Sequence, residues 1–196
     1  MKKYLLAVIT LMVLGVGSAS AQAVWGGRIG VSKPTASTNE GESIDGKFGL
    51  ELGPVLYYGL KNNFYINTGA MFSIKQFDYN YDYSYYGGSY GYGTLSMFYL
   101  DVPLYAGYRF PINNLSFYAQ AGPYVGFKLS ESGASDIGGS GFNSFNAGLG
   151  FMAGINLKRF KIEVGYQAGL ANVVADASDG FSAHLSSLFL GVSYIF

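Results

Sequence analysis

The sequence predicts an all-β fold: a single antiparallel transmembrane β-barrel of about eight strands, preceded by a cleaved signal peptide. Three observations predict it. The N-terminus has the three parts of an export signal, the remainder alternates with the strand period, and the connections between alternating segments are short and long in turn.

Lys2 and Lys3 open the chain, an apolar run extends from Leu5 to Val16, and small residues follow at Ala19-Ser20-Ala21. A helix that spans a bilayer needs ~20 apolar residues, so this run reads as a signal sequence and not as an anchor. Cleavage is expected after Ala21, leaving residues 22–196 as one barrel domain. The absence of cysteine excludes a disulfide scaffold, a thiolate metal site and a lipidated N-terminal cysteine. Basic and acidic residues balance at 12 each, so no net field draws the protein to nucleic acid. Only 12% of residues are charged, whereas 29 are Gly, 18 Tyr and 15 Phe, a composition that suits a curved β structure facing an apolar phase.

Eight segments alternate strictly: Val24 to Lys33, Lys47 to Tyr58, Asn63 to Lys75, Leu95 to Phe110, Ser116 to Ser130, Ser144 to Leu157, Phe160 to Ala171 and Ala183 to Phe196. Most match the ~9 to 11 residues that a tilted strand needs to cross a bilayer. One face of each segment is apolar, as in Phe64, Ile66, Ala70, Phe72 and Ile74. The opposite face carries the charges. Arg28, Lys47, Glu51, Lys75, Asp101, Arg109, Lys128 and Glu163 all share this second parity. Alternation alone also permits a periplasmic lipocalin-like barrel with the apolar face inside. Loop lengths separate the two. Gly59 to Asn62, Pro111 to Leu115 and Lys158-Arg159 are short connections, whereas Pro34 to Gly46, Gln76 to Thr94, Glu131 to Asn143 and Asn172 to Ser182 are long. Short turns at one rim and long loops at the other are the outer-membrane pattern, so the charges are expected inside, as an ion-pair network in a filled lumen.

The final strand alternates through Leu188, Leu190, Val192 and Tyr194 to Phe196, and it resembles the C-terminal signal of clients of the barrel-assembly machinery. Tyr99-Leu100-Asp101-Val102-Pro103-Leu104 resembles the Tyr-Leu-Glu-Ile-Pro-Leu stretch of the PorT-like outer-membrane β-barrel family, with aspartate for glutamate and valine for isoleucine. Ala121-Gly122-Pro123, Gly148-Leu149-Gly150 and Ala153-Gly154 extend the likeness. The resemblance implies a small OmpA/OmpX-like barrel in the outer membrane of a Gram-negative cell. It carries no catalytic residue.

Pro54, Pro103 and Pro123 fall inside strands, where proline cannot donate to the ladder. A shared bulge is expected to absorb Pro103 and Pro123. Inward glycines are expected to give room to inward tyrosines such as Tyr57, Tyr65, Tyr105, Tyr118 and Tyr124.

Chemistry has little to stand on. The single histidine, His184, forms a His-x-Ser pair with Ser186 that resembles that of outer-membrane lipid A deacylases, yet no carboxylate follows to orient the histidine. No cofactor or metal is expected. A tract containing Tyr79, Tyr81, Tyr83, Tyr85, Tyr86, Tyr90 and Tyr92 offers rigid amphipathic contact area and reads as a surface-binding loop. The expected function is a structural or surface-interaction barrel, with a narrow pore as the alternative and a lipid-modifying enzyme third. The expected partners are outer-membrane lipids, the assembly machinery, and a protein or glycan at the long loops.

Overall fold

The computed structural model describes residues 23–39, 41–82, 90–112, 115–133, 142–174 and 182–196. The expected signal peptide and Tyr83, Tyr85 and Tyr86 lie outside the described residues. Ten strands follow in order: β1 (Ala23–Thr38), β2 (Ser43–Asp45), β3 (Gly49–Gly59), β4 (Phe64–Gly69), β5 (Met71–Asp82), β6 (Tyr90–Ile112), β7 (Leu115–Ser132), β8 (Phe145–Leu157), β9 (Phe160–Gly169) and β10 (Ala183–Ile195). All pairings are antiparallel. β1 pairs with both β10 and β3, and β6 with both β7 and the β4–β5 run, so the sheet closes. β4 and β5 are halves of one strand, and β2 is a short addition to the upper end of β1, which leaves eight strands in the wall.

The pairing is strongly staggered. Followed from Tyr99 of β6 through Ser73, Glu51, Gly30, Gly191, Glu163, Gly154 and Tyr118, it returns to β6 at Arg109, ten residues nearer the short-turn rim. Such a stagger in an eight-strand wall tilts the strands by roughly 35 to 45° and leaves an interior that side chains can fill.

The prolines interrupt the ladder without changing its register. Pro54 accepts a bond from the Ala70 N–H at 3.1 Å but has no proton to return, and the strand is broken into β4 and β5 at that residue. The β6–β7 pairing lapses between Pro103↔Tyr124 and Ala106↔Ala121, where Pro123 stands opposite Leu104 without a donor. No bulge forms there, contrary to expectation. The register shift falls instead between Phe98 and Tyr99, which face Ser130 and Lys128, so Leu129 is the extra residue.

Two long connections are more regular than their composition suggests. β5 and β6 continue pairing from Phe77↔Leu95 to Asp82↔Tyr90, because the Tyr-x-Tyr spacing is itself period two. Likewise β1 runs on to Thr38, and its last turn pairs with β2. The opposite rim is tight: Asn62 and Asn63 take positive φ of 58° and 66°, which asparagine tolerates, and Leu157 pairs with Phe160 across Lys158-Arg159.

The outer surface is apolar and bare. Phe48 is 72% exposed and Phe196 75%, with Leu52, Phe72, Leu104, Phe151, Val164 and Leu190 also exposed between them. Water would not tolerate such a belt on a soluble domain, whereas hydrocarbon is its natural solvent.

Candidate functional site: the filled lumen and the upper rim

Inward positions build layers from the short-turn rim upward. At the bottom, Tyr57, Tyr65 and Tyr118 form a ring, with Tyr57–Tyr65 centroids 5.9 Å apart and Tyr65–Tyr118 6.4 Å. Lys161 enters it, its Nζ 3.6 Å from the Tyr57 centroid and 4.0 Å from that of Tyr118. Three ring faces thus supply negative potential that a carboxylate would otherwise provide. Arg109 caps the ring from the rim, 5.1 Å over Tyr65.

Glu163 organises the next layer. Arg28 donates Nε to Oε1 at 2.8 Å and Nη2 to Oε2 at 3.3 Å, and the hydroxyls of Tyr118 and Ser193 donate to the same carboxylate. This bidentate fork is the charge-assisted geometry that a planar guanidinium favours. Tyr65 donates to Gln120 at 3.0 Å, and the Gln120 amide and the Arg28 Nη2 converge on the Met152 sulfur at 3.1 and 3.5 Å. Midway up, Lys75 pairs with Asp101 at 3.3 Å, Ser73 donates to Asp101 Oδ2 at 2.7 Å, and the Lys75 ammonium lies 4.6 Å over Tyr99. An apolar cluster of Phe77, Leu95, Met97, Tyr99, Val173, Ala183 and Leu185 covers the top.

Glycine lets the tyrosines lie flat against the wall. A Cβ on Gly107 would stand 2.2 Å from the Tyr65 ring, one on Gly150 2.1 Å from the Tyr105 hydroxyl, and one on Gly154 2.7 Å from that of Tyr118. Each ring therefore uses space that any side chain on the facing strand would fill.

Of the eight charges expected inside, Arg28, Glu51, Lys75, Asp101 and Glu163 are buried. Arg109 and Lys128 are half-buried, and Lys128 pairs with Glu131 and donates to the Phe142 carbonyl at 2.6 Å. Lys47 is a correction. It is exposed on the outer face and pairs with Asp78 at 2.8 Å. The reason is register: the Lys47↔Gln76 bridge is one residue out of step with Glu51↔Ser73, and a one-residue slip moves a side chain to the other face. Glu51 is 4% exposed, yet it makes no ion pair or hydrogen bond among the described residues. Lys161, absent from the expected network, was legible from its parity with Glu163.

The upper rim carries exposed ion pairs. The Lys33 ammonium at 2.7 Å and the Thr35 hydroxyl at 3.1 Å hold the Asp45 carboxyl below the usual carboxylate range. Lys47, then Thr94 at 2.8 Å, do the same for Asp78. Tyr79 and Tyr81 lie on β5, and Tyr90 and Tyr92 on β6, in the hairpin that rises beyond this rim.

Leu190, Val192, Tyr194 and Phe196 are exposed along the outer face of the last strand. Tyr194 stacks edgewise on Phe160 and Phe196 at 5.1 and 5.7 Å and accepts from Arg159 at 3.3 Å, making an aromatic corner at the lower interface. His184 and Ser186 share no hydrogen bond. The Ser186 hydroxyl accepts from the Gly169 N–H at 3.3 Å, and His184 Nδ1 is buried without a partner.

A family model for the outer membrane protein beta-barrel domain matches residues 18–175. The chain belongs to that family. It is an integral β-barrel of the Gram-negative outer membrane, and its apolar belt meets membrane lipid. Its fold is similar to that of OprG from Pseudomonas aeruginosa, at 13% identity and a TM-score of 0.55, over 89% of this chain and 95% of that one. It is also similar to Neisserial surface protein A, at 16% identity and a TM-score of 0.51, over 88% and 97% of the two chains. No curated protein matches.

Proposed function

We propose that this barrel is a non-conducting surface-interaction or structural protein that works through the segments above its upper rim. The observation that carries the reading is the lumen. From the tyrosine ring through the Arg28–Glu163 layer to the apolar cluster, successive layers of buried side chains fill the interior. Ions crossing a pore need hydration or compensating ligands along their whole path, and an apolar layer offers neither. The rising β5–β6 hairpin, by contrast, has a tyrosine-rich sequence suited to rigid contact with a protein or glycan.

Finer assignments join this proposal. Residues 1–21 act as a removable signal peptide, the barrel is a PorT-like member of its family, and the strand ending at Phe196 directs recognition by the assembly machinery. No chemistry is assigned to His184 and Ser186, since nucleophile and base share no hydrogen bond.

Purified barrel in planar bilayers tests the lumen. The expected record is silent, and steady ohmic single-channel currents would promote the narrow pore instead. Recovery of partners from native outer membranes, with the intact hairpin and with the hairpin joined directly between Phe77 and Leu95, tests the surface reading. A partner retained equally by both forms would refute it.

A further inference from the structure

The middle of the lumen, between the Arg28–Glu163 layer and the apolar top, holds a carboxylate with no direct ion-pair partner. Three buried cations, Arg28, Lys75 and Lys161, face three buried carboxylates, Glu51, Asp101 and Glu163. Arg28 is committed to Glu163, Lys75 to Asp101, and Lys161 to tyrosine rings. Glu51 is left over. The six charges balance overall, yet a buried carboxylate without a direct partner costs several kcal/mol, which a bound counter-ion or a proton would offset.

The same layer contains unused oxygens. Asp101 Oδ1, Asn146 Oδ1, Ser32 Oγ and Ser187 Oγ are buried without a hydrogen-bond partner, on residues 4% exposed or less. All four project inward. Because the pairing descends ten residues per turn, Glu51, Asp101, Ser32 and Ser187 come to one height although they lie on β3, β6, β1 and β10. Asn146 is brought to Asp101 across Gly126, where an added Cβ would stand 2.4 Å from Asp101 Oδ1 and 3.6 Å from Asn146 Cβ. Ser73 lies opposite Glu51 in the β3–β5 pair and already bonds the other Asp101 oxygen.

We infer that this layer binds one monovalent alkali cation, with Glu51 as its charged ligand and these oxygens as neutral or shared donors. Oxygen-only donors select a hard cation over a transition metal. Within this layer Lys75 already offsets Asp101, which leaves Glu51 to match a single positive charge. The inference concerns a bound ion and holds whether or not the surface reading is right.

The test is thermal unfolding of the purified full barrel in detergent, read by heat-dependent gel mobility at pH 7. Sodium, potassium and N-methylglucamine chlorides are compared at equal ionic strength. Ligand that binds only the folded state raises its midpoint saturably, here by roughly 5 °C at high occupancy. The wild type should show this in at least one alkali salt, and Glu51→Gln should lose the response while folding well in N-methylglucamine. Ser32→Ala combined with Ser187→Ala should fold and need more cation for half the effect. A wild-type midpoint indifferent to the cation would mean that Glu51 is held by a proton and would overturn the inference, as would a full response in Glu51→Gln. Any separate failure of the bilayer test leaves these readouts intact.

Discussion

Removing the Glu163 carboxylate should cost more than removing any other single charge in this barrel. The residue is 1% exposed and accepts from Arg28 twice and from Tyr118 and Ser193 once each. In Glu163→Ala the Arg28 guanidinium stays buried without its mate, and the two hydroxyls must find new acceptors in a wall already occupied by Met152 and Phe189. Breaking a buried pair from one side costs about 3 to 5 kcal/mol, whereas replacing both partners with apolar residues of similar volume is often neutral. Urea unfolding of the folded barrel, with linear extrapolation to water, should therefore place Glu163→Ala about 3 to 5 kcal/mol below wild type and the double variant Arg28→Met, Glu163→Leu well above the single one. If Glu163→Ala unfolds within about 1 kcal/mol of wild type, or if the double variant is no better than the single, the lumen is wet enough to screen the pair and the layered argument fails.

Asp101→Ala should follow the same logic through Lys75, by a similar or smaller amount because the ammonium keeps its place over Tyr99, and the same urea assay measures it. Gly150→Val should displace Tyr105, whose hydroxyl would meet the new Cβ at 2.1 Å, and overpacking of this kind costs about 1 to 3 kcal/mol in unfolding experiments. Deleting Phe196 should lower the amount of folded protein in the outer membrane while export continues, as judged by fractionation and heat-dependent mobility. Normal abundance would remove the assembly role. At the upper rim, the depressed carboxyls of Asp45 and Asp78 stabilise the fold above the ordinary aspartate value, about 3.9, and lose that contribution as pH falls through their lower folded values. Amide exchange in β2 and the top of β5 should thus be unaffected by lowering pH from 7 to 5, after correction for intrinsic rates, and lose protection below about pH 4. Loss of protection already at pH 6 would point to another group.

Parity carried most of the fold. Charges such as Arg28, Asp101 and Glu163 alternate with lipid-facing leucines and phenylalanines, and in a barrel parity leaves only two faces to choose between. Where parity failed, a local event intervened that composition does not encode. Lys47 changed face at a register slip, and the Leu129 bulge arose away from the prolines that had seemed to require one. Above the rim, residues 77–82 and 90–95 pair as strands although their glycines give the segment the composition of a loop. The lumen was legible residue by residue but not pair by pair. Whether Glu163 meets Arg28 or Lys161 depends on the stagger of the barrel, a quantity that is set jointly by all eight strands and has no local signature.

The closing seam has a further consequence. Gly26 to Thr38 lie beside Ala183 to Ile195 without interruption, and the Phe196 N–H bonds the Trp25 carbonyl at 2.9 Å, so the first and last strands end side by side. A short linker could join those ends, and the tight Lys158-Arg159 reversal is a natural place to open new ones. Such a circular permutant would retain the wall and the lumen but end on a different strand. It would separate two properties that coincide in β10, the identity of the strand and its place as the last described strand in chain order.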